Sequence, residues 1–211
     1  KQMEGRNSPV DLLLTSNSTR LVEAQELGLT QSIQDSAIEE AVPFTFRDPA
    51  GNWFGLTIQA RLIYASKERV QENDITYEEL TSSKWSGRIC SRSGKNDYNI
   101  DLIASTVAHH VLEEVKLWLK GVKKNWARRP QGNDRAQVNA IYVGQYDISL
   151  GNSYYFGKML ADKEQQEWAR SVKLLFPNQG NRGAHVNISG MALTKYAPNQ
   201  ADAIKLMRFL V

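Results

Sequence analysis

Short apolar runs of strand length alternate along this chain with longer stretches in which apolar residues return every three or four positions, and that alternation predicts an α/β protein. Residues 10–15 (VDLLLT) read as a strand. Ser16, Asn17 and Ser18 then offer caps for a helix that runs to Leu27 and stops at Gly28. Pro43 and the run Asp48-Pro49-Ala50-Gly51-Asn52 mark turns. Residues 53–64 (WFGLTIQARLIY) form an extended run long enough to pass from one domain into another. Thr76 and Glu79 have the spacing of a capping box opening a short helix. Residues 87–90 read as a strand and 99–120 as one long amphipathic helix, with Leu102, Ile103, Val107, Val111, Leu112, Val115 and Leu119 at near-helical spacing. A helix over 134–143, a strand over 146–150, a turn at Gly151-Asn152-Ser153 and a helix over 154–162 follow. Extended stretches at 172–176 and 184–188 enclose a polar loop, 178–183, and Pro198 precedes a last helix over 199–210. The chain enters a strand within ten residues and stops inside an apolar helical pattern, so it reads as truncated at both ends.

At 211 residues the chain is long enough for one large or two modest domains with real cores. No apolar run approaches the roughly 20 residues of a membrane helix. The net charge is +3, and basic residues are interspersed with acids outside the stretch 120–129, which argues against a nucleic-acid surface. The single cysteine, Cys90, excludes an intrachain disulfide and gives no support to a zinc or redox pair; within the strand 87–90 it reads as a packed thiol.

Catalytic sets are missing from the pattern. His109 and His110 are neighbours on a helix, where side chains diverge by about 100° and do not make an i, i+4 ligand pair. There is no Gly-x-Ser-x-Gly elbow and no phosphate loop of the Walker type, so no residues stand out for an enzyme. The tyrosines differ. Tyr154 and Tyr155 are adjacent at a strand-to-helix turn, where both hydroxyls can be aimed at one point, as they could not be within a strand. A helix start also carries positive partial charge, which favours phenolate. Hard, highly charged cations take anionic oxygen ligands, and a trivalent ion can displace a phenol proton; three phenolates would neutralise Fe³⁺. Taken alone, such a pair more often reflects packing than a site.

The surrounding residues change that. Trp85-Ser86-Gly87-Arg88-Ile89-Cys90-Ser91-Arg92-Ser93 with Asn96-Asp97-Tyr98-Asn99, the arginine-rich run 125–135, Asp147-Ile148 with 151–155, Phe176-Pro177-Asn178-Gln179 with 183–190, and Ala197-Pro198-Asn199-Gln200-Ala201 together resemble the ferric-ion-binding proteins of bacterial ABC importers, across essentially the whole chain. The resemblance implies a type 2 periplasmic-binding-protein fold, two α/β lobes joined by crossover strands, with residues 1–60 in a partial N-lobe, 61–184 in the C-lobe and 185–211 returning to the N-lobe. It maps three iron ligands onto Tyr98, Tyr154 and Tyr155, and it suggests Arg92 and Arg135 as anion-holding or supporting residues. It implies no enzyme but a periplasmic monomer that captures Fe³⁺ between its lobes, with a synergistic anion such as carbonate possible, and delivers it to an inner-membrane ABC permease. The chain departs from the family where it begins, after the strand–turn–helix that adds a His or Tyr ligand, and at Thr15-Ser16-Asn17, where some members carry a Glu ligand. The alternatives are a solute-binding protein of the same fold for a polyamine, an anion or thiamine, and, from another class, an enzyme on this scaffold.

Overall fold

The computed structural model describes residues 5–211. Along the chain run β1 (Leu12–Thr15), α1 (Ser18–Glu26), α2 (Ser36–Ala41), β2 (Phe54–Ser66), β3 (Ile89–Cys90), α3 (Asp97–His109) and α4 (Leu112–Lys124). Then come α5 (Asp134–Tyr142), β4 (Ile148–Asn152), α6 (Tyr154–Ala161), α7 (Gln166–Arg170), β5 (Val172–Leu175), β6 (Val186–Leu193) and α8 (Gln200–Leu210). Two compact units divide the chain: Lys1–Gln59 with Asn187–Val211, and Ala60–Val186. The mixed α/β architecture is the one that the hydrophobic pattern predicts.

In the first unit β1 and β6 pair antiparallel, Leu12 opposite Leu193 and Thr15 opposite Gly190. Asn17 caps α1 by accepting from Thr19 N at 2.7 Å, and Gly28 ends that region at φ 64°, the left-handed conformation that glycine takes without a side-chain clash. Ile33, Ile38, Val42, Phe54, Met191, Leu193, Ala203 and Met207 form its core.

In the second unit the far half of β2 is a central strand. It pairs antiparallel with β4, from Arg61 opposite Asn152 to Ala65 opposite Ile148, and with β5, from Ile63 opposite Leu175 to Ser66 opposite Val172. β3 adds to β4 in parallel. Both faces of this sheet are covered. Ile63 and Ala65 enter one core with Leu102 of α3, Val122 of α4, Tyr77 and Trp85; Leu62 and Tyr64 enter another with Val138 and Ile141 of α5, Met159 of α6 and Ala169 of α7. A strand buried on both faces shows a nearly continuous apolar run, and the stretch LIYA (62–65) is one.

Two expectations are corrected here. Gly151 and Asn152 are not part of a turn but the end of β4. Gly151 is needed because the Tyr64 ring lies across it: a Cβ there would sit 2.1 Å from the ring, and Tyr64 Oη donates to Asn152 O at 2.6 Å. The helix expected over 99–120 is two helices, broken at His110, which is extended at φ −136° and ψ 156°. Val107, Val111, Leu112 and Leu119, counted as one apolar face, are exposed. The break is held by polar contacts that hydrophobic periodicity does not carry. His110 Nε2 lies 3.2 Å from Glu78 Oε1 and Nδ1 lies 3.4 Å from Glu114 Oε2, while Arg182 pairs with Glu78 and Asn178 Nδ2 donates to Glu78 Oε2 at 2.8 Å. The Thr76–Glu79 capping box forms in both directions, at 2.7 and 3.1 Å, but opens a single 3₁₀ turn.

One buried polar cluster ties the second unit together. Arg61 sits in the middle of β2 and is 2% exposed; Asp134, at the first position of α5, is fully buried. Arg61 Nη1 donates to Asp134 Oδ2 at 3.1 Å and to Asn152 Oδ1 at 3.0 Å, and Nη2 donates to Asn99 Oδ1 at 2.5 Å. Asp134 also accepts from Asn152 N at 2.8 Å and from Arg92 Nη1 at 3.2 Å. Asn99 Nδ2 returns to the carbonyls of Arg92 and Ser93 at 3.0 and 3.1 Å.

Two predictions follow from these contacts. Asp134→Ala leaves the Arg61 charge buried and unpaired, so it should lower the unfolding free energy by about 3–5 kcal/mol in urea titrations; a loss below about 1 kcal/mol would mean that the cluster does not hold the unit together. Glu78 has its pKa lowered to about 2: burial raises it, but the Asn178 and Arg182 hydrogen bonds lower it by more. A depressed carboxylate stabilises above its unfolded pKa and loses that contribution as pH falls through the folded value. Glu78→Gln should therefore cost stability at pH 7, and the gap to the parent should close between about pH 4.5 and pH 2. A gap independent of pH in matched urea titrations would exclude this origin.

Candidate metal centre

Three tyrosines meet at the starts of two helices. Tyr98 is the second residue of α3, and its N–H is taken by the side chain of Asn96, the N-cap, at 3.2 Å. Tyr154 and Tyr155 open α6 directly after β4. Ser153 makes no capping bond to α6: its hydroxyl accepts from Ala60 N at 3.1 Å while its own N–H donates to Ala60 O at 2.9 Å. This pair of bonds fixes the entry of α6 against β2 and so fixes where the tyrosine pair begins.

The Tyr154 hydroxyl donates to the Tyr98 oxygen at 3.2 Å, and the rings of Tyr154 and Tyr155 lie 4.3 Å apart between centroids, tilted by 35°. Residues 56 positions apart in the chain thus bring their phenol oxygens within one coordination distance of a common point. The buried cluster sets this geometry from behind. Asn99 follows Tyr98 directly, Asn152 precedes Tyr154 by two residues, and both are bonded to Arg61. Arg92 joins the two levels, bonded to Asp134 with its guanidinium 5.5 Å from the Tyr98 ring centroid. Lys158, one turn after Tyr154, lies 5.1 Å from the Tyr154 ring centroid.

Burial pushes the Tyr154 phenol well above its ordinary value, and hydrogen bonds to Tyr155 and Tyr98 push it further. Among the described residues no three His, Cys, Asp or Glu side chains gather into a metal-holding group.

Of the residues that the sequence brought forward, Tyr98, Tyr154, Tyr155 and Arg92 are brought together, and Arg135 is not: it lines a separate groove that contains no tyrosine. Arg61, Asp134, Asn99 and Asn152 escaped the sequence reading. One signal was available, an arginine inside an otherwise apolar strand run, which has to find an acid when the strand is buried on both faces.

A sequence profile described as bacterial extracellular solute-binding protein matches residues 7–211. Iron uptake protein A1 of a Synechocystis species is 46% identical over 211 residues, covering 99% of this chain and 59% of that protein, and iron uptake protein A2 is 42% identical, covering 99% and 62%. The chain thus spans about three fifths of the length of these relatives. The apo ferric ion-binding protein A of Pasteurella haemolytica superposes with a TM-score of 0.94 at 45% identity, covering 99% of this chain and 66% of that one. A Trichodesmium protein in complex with iron and citrate superposes with a TM-score of 0.94 at 43% identity, covering 99% and 67%. Matched over all but its first six residues, the chain belongs to the bacterial extracellular solute-binding proteins.

Proposed function

We propose that the protein binds ferric iron through the phenolate oxygens of Tyr98, Tyr154 and Tyr155, and that it serves as the periplasmic component that delivers iron to an inner-membrane ABC permease. The observation that carries this reading is the 3.2 Å approach of the Tyr154 and Tyr98 hydroxyls with Tyr155 stacked beside them, a gathering of oxygen donors that packing alone does not require. Relatives named for iron uptake and ferric-ion binding support it.

Three phenolates balance the charge of Fe³⁺, and hard oxygen donors suit it better than they suit zinc or copper. The protein performs no covalent chemistry in this reading. Its side chains give up phenol protons, hold the oxygens at fixed spacing, and take the protons back when the ion leaves. Arg92 is the residue best situated to accompany a synergistic anion such as carbonate.

Ferric citrate added to the protein should produce a phenolate-to-iron charge-transfer band in the visible. Tyr154→Phe or Tyr155→Phe should weaken iron binding by about 100-fold or more, since even changes behind a ligand cost 10–100-fold, and should remove or shift the band. Capture should release protons, so acidification should bleach the band. A protein that stays colourless would favour a same-fold carrier of a polyamine, an anion or thiamine.

A further inference from the structure

The arginines of this chain are mostly neutralised. Arg20, Arg47, Arg61, Arg69, Arg88, Arg92, Arg170, Arg182 and Arg208 each have a carboxylate within ion-pair distance. Arg6, Arg128, Arg129 and Arg135 do not, among the described residues, and of these Arg128 and Arg135 line the same open groove of about 470 Å³ on the α5–α7 side of the second unit. That volume is within the range of small-molecule sites. The lining contains no Asp or Glu. The side chains between the arginines are the amides of Asn139, Gln145 and Gln165, and one wall is the indole of Trp168.

Two further features separate this groove from an ordinary solvated basic patch. The Arg128 guanidinium is held in place, 5.5 Å from the Tyr146 ring centroid, yet its Nε–H is shielded from solvent with no acceptor. Gln165 donates to Asp162 Oδ2 at 2.5 Å while its own Oε1 is likewise buried without a donor. The unmet Arg128 Nε–H is a donor that an anionic oxygen can take once the side chain turns toward it. A guanidinium presents a planar fork that matches carboxylate or phosphate oxygens, and two forks on one groove suit two anionic groups on one molecule.

We infer that this groove is a second ligand site, distinct from the tyrosine centre, for a small organic polyanion carrying carboxylate or phosphate groups. Arg128 and Arg135 hold the anionic oxygens, the amides take the polar groups between them, and Trp168 covers an apolar face. The site does not depend on iron.

The test uses iron-free protein at low ionic strength, with tricarballylate and inorganic phosphate as separate probes, followed by calorimetry and by tryptophan fluorescence. Saturable binding of one probe is expected, and which probe binds decides between the carboxylate and phosphate chemistries. Arg135→Gln removes no ion pair of the fold and should weaken binding by at least about tenfold; Arg128→Lys keeps the charge, loses the fork, and should weaken it by a similar factor. Trp168→Phe should abolish the fluorescence change while calorimetric binding persists. Arg135→Gln should leave the ferric charge-transfer band of the tyrosine centre unchanged, so a failure here is distinguishable from a failure of the iron reading. Absence of saturable binding by both probes, or equal affinity in parent and Arg135→Gln, overturns the assignment.

Discussion

The ion pair between Arg61 and Asp134 is the constraint on which the second unit depends. Neither group reaches water, and a lone charge in either position would be too costly to keep. Each therefore requires the other, and the requirement spreads. Arg61 has donors left over after meeting Asp134, and these are taken by Asn152 at the end of β4 and Asn99 in the first turn of α3. Asp134 has lone pairs left over, and these are taken by the Asn152 amide and by Arg92. Five segments distant in sequence are fixed to one point by hydrogen bonds whose geometry is far narrower than that of apolar contacts. Two of those segments lead directly into the tyrosines.

This arrangement explains how one sheet can be both a core and a support for chemistry. Below Arg61 the strand β2 alternates between two apolar cores, Ile63 and Ala65 on one face and Leu62 and Tyr64 on the other. Tyr64 spends its hydroxyl on the Asn152 carbonyl and lays its ring over Gly151, so the packing face itself fixes the last two residues before the turn into α6. A larger residue at 151 would move that turn. The position of Tyr154 is thus set from the apolar side by Tyr64 and from the polar side by Arg61.

The sequence carried much of this and missed the rest for definable reasons. Strands and helices whose order depends on hydrophobic period or on a local cap were legible: α1 with Asn17 and Gly28, the long β2, α5 and α8 behind Pro198 are all near their expected positions. Elements that depend on partners far along the chain were not. The interruption at His110 rests on Glu78 and Arg182, which are 32 and 72 residues away. α2 and α7 are six and five residues long, too short to show a period. The tyrosine pair was visible, but only the motif around Tyr98 linked it to a third oxygen, because no local pattern reports that residues 98 and 154 meet. The arginine in β2 was visible as an anomaly, and its partner was not, since acids are plentiful and any of them might have served.

Charge balance links the two polar regions of the second unit. Around the tyrosines, Arg61 and Arg92 share the Asp134 carboxylate, and the Tyr154 phenol is raised by burial and by its hydrogen bonds to Tyr155 and Tyr98. Around Arg128 and Arg135 the groove lining holds no carboxylate, and the Tyr146 phenol beside Arg128 is raised to about 12 by burial. The first region pairs its guanidinium groups with an acid, and the second leaves two of them without one. In the function proposed above, the phenols of the first region give up their protons to a hard cation. In the inferred second site, the guanidinium groups are met by an anion from solution. Fixed arginines decide neither outcome by themselves; whether a carboxylate stands beside them does.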